Sequence, residues 1–329
     1  MIATTSLVAL ASCSSAPPTA ERPSTPVASS TTMPMAGHSS HGQLINLNTA
    51  ILSALDKLEA KLGIPALSNR IQASRPYASI DELVSKHVLT QAQFDQIKDM
   101  VTVEDIELTG EAKDIDYFVK LGLMKGHLLV AKELLDLGKP QQAEPHIGHP
   151  VEEIYVDVEE QLQERGVPEF KTTLVHLQDL VKSKPNDPQV AVQYQAAMKA
   201  VDQAIAALPI AQRQSPVLVL QVINGLLDTA SSEYTAAISN HKITEAIEYQ
   251  DSRGFVTYAQ MLLTEIAAPL QKASPQTQAK LQAQLTALAK TWPAPLPPAT
   301  PVQTPEAVTS QIKALEQVSQ TVTAAKPAS

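Results

Sequence analysis

The chain has 329 residues, 44% of them hydrophobic and only 4% aromatic, and its 25 Lys and Arg against 34 Asp and Glu give a formal charge of −9. That length leaves room for more than one domain, and the Ala-, Leu-, Gln- and Val-rich composition favours helices. The negative balance excludes general attraction to a phosphate backbone unless a basic patch is segregated from it, and a single cysteine, Cys13, excludes an intramolecular disulfide.

Residues 1–13 hold a short apolar run, Leu7-Val8-Ala9-Leu10-Ala11, followed by Ser12 and Cys13. The segment resembles a bacterial lipoprotein signal, in which small residues before the cysteine admit the peptidase and the thiol takes the lipid. It departs from that pattern in having no Lys or Arg before Arg22. The resemblance implies an exported, membrane-anchored lipoprotein facing the periplasm or, in a cyanobacterium, the thylakoid lumen. Later in the chain no stretch reaches the roughly 20 apolar residues that span a bilayer.

Residues 14–42 repeat Ser, Thr, Pro and Ala with few bulky apolar side chains, a composition that buries too little surface to offset its ordering entropy. They read as a disordered tether. Met33, Met35, His38 and His41 lie within it, and soft thioether sulfur with imidazole nitrogen suits copper, particularly Cu(I). Low-complexity linker composition accounts for the same residues without a metal.

In residues 43–108 short helices are expected. Asn48 is placed to cap a helix whose stripe is Ile51, Leu52, Leu55, Leu58 and Leu62. Gly63 permits a tight turn, and Pro65 is placed to open the next helix. Ser79-Ile80-Asp81-Glu82 and Thr90-Gln91-Ala92-Gln93 both read as capping boxes. The segments Ile45-Asn46-Leu47-Asn48-Thr49-Ala50, Gly63-Ile64-Pro65, Arg70-Ile71, Arg75-Pro76-Tyr77 and Ser79-Ile80-Asp81-Glu82-Leu83 resemble the helix-hairpin-helix family of exported competence DNA receptors. They are also similar to the extrinsic U protein of cyanobacterial photosystem II. The resemblance implies a compact helical module outside the cytoplasm that binds DNA or docks a protein partner. DNA-binding hairpins of this kind read Gly, apolar, Gly and offer backbone amides to a phosphate. Here Ile64 runs into Pro65, which has no amide hydrogen, and Asp56, Glu59, Asp81 and Glu82 offset Lys57, Lys61, Arg70 and Arg75. Protein docking at an envelope or thylakoid membrane is therefore favoured over DNA.

Residues 112–292 read as an antiparallel helical bundle, so the chain is expected to be all-α. The expected helices cover about 114–137, 150–165, 169–184, 187–208, 216–239, 243–273 and 276–290, punctuated by Gly138, Pro140, Gly166, Pro168, Pro185 and Pro275. In residues 293–329 a stiff Pro-rich segment precedes a short amphipathic helix and a tail expected to be disordered.

The bundle carries the chemistry-bearing residues. His127 follows Gly126 on a largely apolar face, so its imidazole needs a partner if buried. His146 and His149 open the next helix, with Glu152 and Glu153 one turn beyond His149, and Glu248 and Asp251 lie one turn apart on a later helix. Facing helices that supply His and carboxylates at such spacings can hold iron, zinc, copper or haem. Hydrogen-bonded core histidines with an Arg253 ion pair satisfy the same pattern without a metal. The bundle loosely resembles the periplasmic imelysin-type iron-uptake domains, which also mix Gly-His and carboxylate motifs, although Glu133 is rotated off the His127 face. Phosphate loops, nucleophile elbows and zinc-protease signatures are absent from the sequence. The leading expectation is a non-enzymatic, membrane-tethered docking lipoprotein whose bundle binds a metal; the alternatives are a periplasmic iron or copper delivery protein and an envelope DNA-binding protein.

Overall fold

The computed structural model describes residues 44–50, 52–105 and 108–324. Cys13 and the Met33, Met35, His38, His41 group lie outside the described residues, as do the signal and tether. The fold is all-α, with two minimal strand pairs among the described residues.

The first part is held together by its opening segment. Strand β1 (Ile45–Asn46) pairs in parallel with β2 (Val101–Thr102), which brings the two ends of the module together. Between them lie α1 (Leu52–Leu62), α2 (Leu67–Ala73), α3 (Glu82–Ser85) and α4 (Gln91–Phe94). Leu47, Leu55, Leu58, Leu67, Ile71, Leu83 and Ile97 form their common apolar core.

Three local expectations are corrected here. Asn48 does not cap α1; its side chain clamps the distant turn, accepting from the Tyr77 amide (2.7 Å) and donating to the Tyr77 carbonyl (2.8 Å). Arg75 ties the same turn to the Leu47 and Ala50 carbonyls. Pro65 does not open α2, because Ala66 takes a left-handed conformation (φ 55°) and the helix begins at Leu67. The Ser79 box does not form: α3 has no side-chain cap, and Glu82 instead accepts from the Ala78 amide, whereas the Thr90–Gln93 box is complete. At the hairpin, the Gly63 amide turns back to the Glu59 carbonyl (2.8 Å), and the Glu59 carboxylate accepts from the amides of Ala66 (2.9 Å) and Ser68 (3.3 Å). The amino end of α2, where an external anion would sit, is thus filled by the chain's own carboxylate.

The bundle begins four residues earlier than Asp114, with α5 (Gly110–Asp136); Asp114 instead accepts from Arg165 and Gln212, each at 2.7 Å. Next come α6 (Pro140–Ala143), α7 (Pro145–His149), a π-helical turn at Pro150–Ile154 and α8 (Tyr155–Glu164). The π turn follows from Pro150, which cannot donate to the carbonyl four residues back and crowds it. Helices α9 (Lys171–Ser183) and α10 (Gln189–Ala206) pack as a pair. After α11 (Ile210–Arg213), α12 (Pro216–Ala236) turns through the β3 (Ile238–Ser239) and β4 (Lys242–Ile243) hairpin into α13 (Ala246–Glu265). The expected helix over 243–273 is broken at Ile266 into α13 and α14 (Ala267–Ala273), followed by α15 (Pro275–Leu288) and α16 (Pro305–Thr323). Val308, Ile312, Leu315 and Val318 of α16 join the bundle core, so this last helix is docked.

Helices α12 and α13 form the spine. Helix α5 lies on α13, α16 lies on α12, and α1 of the first part also packs along α12. The crossing of α5 and α13 is as close as backbones allow. A Cβ on Gly254 would sit 2.2 Å from the Gly126 carbonyl oxygen, and one on Gly126 would sit 2.5 Å from Phe255 Cδ1. Two facing glycines therefore set the distance at which His127, next to Gly126, and Asp251, one turn before Gly254, confront each other. No helix among the described residues is long and apolar enough to cross a membrane.

Candidate metal centre

Three elements converge just beyond that glycine contact. Helix α5 brings His127, α7 brings His146 and His149, and α13 brings Gln250 and Asp251. The Nδ1 atoms of His127 and His146 lie 2.6 and 2.7 Å from the same oxygen, Asp251 Oδ1. All three groups are buried, and their ligating atoms fall within 4.8 Å of one another. His149 stands at the outer edge, about a third exposed, with Nδ1 3.7 Å from Asp251 Oδ2.

The surrounding hydrogen bonds orient the imidazoles. His146 Nε2 donates to Gln250 Oε1 (2.8 Å), whose amide is fixed in turn by donating to Gln142 Oε1 (3.1 Å). That proton on Nε2 leaves the Nδ1 lone pair of a neutral His146 aimed at a carboxylate oxygen, so a proton or a cation must stand between them. His127 is held edge-on against the Phe255 ring, with centroids 5.0 Å apart. Its Nδ1 meets Asp251 at a suitable distance but not at a suitable angle, so it is a buried nitrogen without a hydrogen-bond partner. Buried polar atoms are rarely left so. Burial pushes the His127 imidazole below its ordinary range against the opposing pull of Asp251. For Asp251 burial acts upward, yet His127 and His146 outweigh it and hold the carboxyl well below the usual range. Burial likewise lowers His149, but the neighbouring charge of Asp251, with Glu153 and Glu248, lifts it to about 9.

These donors fit a transition metal. Two imidazoles and one carboxylate are the protein ligands of non-haem Fe(II) sites that keep other positions open, and the Gln250–His146 contact is the kind of outer hydrogen bond that fixes which nitrogen is free to ligate.

Of the sequence candidates, His127, His146 and Asp251 come together directly and His149 flanks them. Glu153 and Glu248 are half-buried beside His149, whereas Glu152 is solvent-exposed and does not join the group. The widened π turn explains the split: it shifts the inward direction from the third residue after His149 toward the fourth and fifth. Glu133 and Arg253 form a separate bidentate pair, 2.6 and 2.9 Å.

Two acids escaped the site reading of the sequence, the half-buried Asp56 on α1 and the buried Glu233 on α12. Burial first, and then the charges of Glu59, Glu248 and Glu153, push Asp56 up to about 7 against the hydrogen bond from Ser68. Glu233 is only 4% exposed and lies well above its ordinary range, through burial and the charges of Asp56, Asp251, Glu248 and Glu153. Its signal in the sequence is an acidic residue in a largely apolar helix that also carries Asp228; its neighbours from α1 and α13 are not legible there.

Residues 209–326 match the family model described as the iron permease-associated 4-helix bundle domain. The match takes in α12, α13, α15 and α16, and therefore Asp251, Glu248 and Glu233, while His127, His146 and His149 come from helices before it. No curated protein and no solved structure matches the chain.

Proposed function

We propose that this protein binds Fe(II) as cargo at His127, His146 and Asp251, and that it is an exported iron-binding or delivery protein rather than an enzyme. The observation that carries this reading is the convergence of two imidazole Nδ1 atoms on one buried carboxylate oxygen, with the His127 nitrogen left without a hydrogen bond. The likeness of residues 209–326 to an iron permease-associated bundle favours iron over zinc or copper, whose affinities for such a donor set are as high or higher.

In this reading Asp251 supplies the anionic ligand, and Gln250 keeps the His146 Nδ1 lone pair turned inward. Phe255 holds the His127 ring, and binding releases the proton otherwise lodged among the three groups. The part-exposed His149 and the half-buried Glu153 and Glu248 form the approach from solvent. A membrane permease is the partner that would receive the iron, with Cys13 as the tether that keeps the carrier near it.

The test is metal retention. Protein loaded anaerobically with Fe(II) and then desalted should keep iron, and His127→Ala and Asp251→Asn should lose it while remaining helical by circular dichroism. Wild-type protein emerging free of iron, or both variants retaining it, would end the proposal.

A further inference from the structure

We propose that an ion bound for the triad first lodges at an outer seat between His149 Nδ1 and Asp251 Oδ2, and moves inward from there to His127, His146 and Asp251 Oδ1. The inference rests on the reading of the triad as a metal site and names the residue that loads it.

The two oxygens of Asp251 face different surroundings. Both inner nitrogens stand at hydrogen-bond distance from Oδ1, 2.6 Å for His127 and 2.7 Å for His146. His149 Nδ1 stands 3.7 Å from Oδ2, too far for a hydrogen bond. Imidazole nitrogen and carboxylate oxygen lie about 2.1 Å from an ion such as zinc, so two such ligands of one ion are roughly 3 Å apart at a right angle and about 4.2 Å apart on opposite sides. The outer pair already falls inside that window. The inner pairs are closer than it allows and must spread before an ion fits between them. One half of the site is therefore preformed, and the other opens only as it fills.

Access runs the same way. The side chains of His127, His146 and Asp251 are 5%, 0% and 4% exposed, against 35% for His149. Of these four groups only His149 is open to solvent to any extent, so an arriving ion meets it first. His146 and His149 lie one turn apart on α7, which puts the inner and outer imidazoles on one face of that helix. The His149 ring stands edge-on to that of His127, with centroids 5.7 Å apart, so the seat adjoins the inner ligands directly. Glu153, beside the mouth, is already engaged as acceptor of the Leu52 amide. Asp251 spans both positions, and a carboxylate that binds through one oxygen or both can pass an ion from Oδ2 to Oδ1 without releasing it. Against the effect of burial, Asp251 keeps a proton on His149 in the metal-free chain, and ligand protons are what a metal ion displaces.

The test is the rate at which the full chain takes up Co(II), read in stopped flow from the visible absorption that imidazole ligation gives the ion, together with the rate of its release to EDTA. His149→Ala should slow uptake by about tenfold, with release slowed to match, because an ion leaving the triad passes the same seat. His149→Gln, which keeps a polar side chain at this part-exposed position, should do the same and serves where His149→Ala fails to fold. Glu152→Gln, at an exposed carboxylate one turn beyond His149, should change neither rate. Uptake by the His149 variants as fast as in the wild type, or faster, would overturn the seat. So would slowing of equal size in Glu152→Gln, which would mean that charge alone draws the ion. Release quickened in the His149 variants with uptake unchanged would also overturn it, making His149 a resident ligand. In each of those results the wild type still binds Co(II) and the triad stands; a wild type that develops no Co(II) absorption would remove the triad and the seat together.

Discussion

The same pair of helices, α5 and α13, encloses two polar groups of opposite character. Glu133 and Arg253, two turns from the glycine crossing and just beyond it respectively, make a bidentate pair, and Arg253 also donates to the Trp292 carbonyl. Cation meets anion, and each guanidinium nitrogen meets an acceptor. Nearer to Gly126 on α5, His127 joins His146 and Asp251 to bring two imidazole nitrogens to one oxygen with one of them unbonded. The first group keeps partial contact with solvent while the second is almost wholly buried, so water is there to complete the bonding of the first and not of the second. A satisfied buried pair is structure, while converging donors that satisfy one another poorly mark a place for something else.

The strongest way to break the contrast is to separate the helices. Gly254→Ala would place a methyl 2.2 Å from a backbone oxygen, and overpacking against backbone should cost about 3 kcal/mol, read from urea unfolding, with loss of iron binding. Asp251→Asn should spare the fold and weaken Fe(II) binding by about 100-fold or more, equivalent to about 2.7 kcal/mol. Glu133→Gln should do the reverse, costing about 1–2 kcal/mol of stability by stranding a part-buried guanidinium while leaving the iron affinity unchanged. If Glu133→Gln weakened iron binding as much as Asp251→Asn, the two groups would not be distinct. Gln250→Leu should lower iron affinity by about tenfold, the usual effect of losing an outer hydrogen bond to a ligand.

The smallest effect is a pH dependence of the metal-free protein. The raised pKa of His149, about 9 against an ordinary 6.5, means that the folded state favours its protonated form. Its contribution is fully present below about 6.5 and is lost as pH rises through about 9. The urea midpoint should therefore fall across that window, and His149→Gln should flatten the fall.

Much of the bundle was legible because its signals are local. Gly138, Gly166, Pro185 and Pro275 end or start helices where expected, and Gly126-His127 and the Glu248–Asp251 spacing mark one face each. What failed depended on backbone detail or distance. Pro150 widens a turn within a continuing helix rather than opening one, which separates Glu153 from Glu152. Asn48 has the chemistry of a cap but finds Tyr77, a partner 29 residues away. Asp56 and Glu233 lie 177 positions apart in the sequence, and nothing in either neighbourhood encodes that α1 would lie along α12.

The most direct measurement is X-ray absorption at the iron edge on the Fe(II)-loaded chain, which counts imidazoles bound to the metal. The triad predicts at least two histidine ligands in the wild type and one fewer in His127→Ala. Iron surrounded only by oxygen donors, or an unchanged imidazole count in His127→Ala, would contradict it.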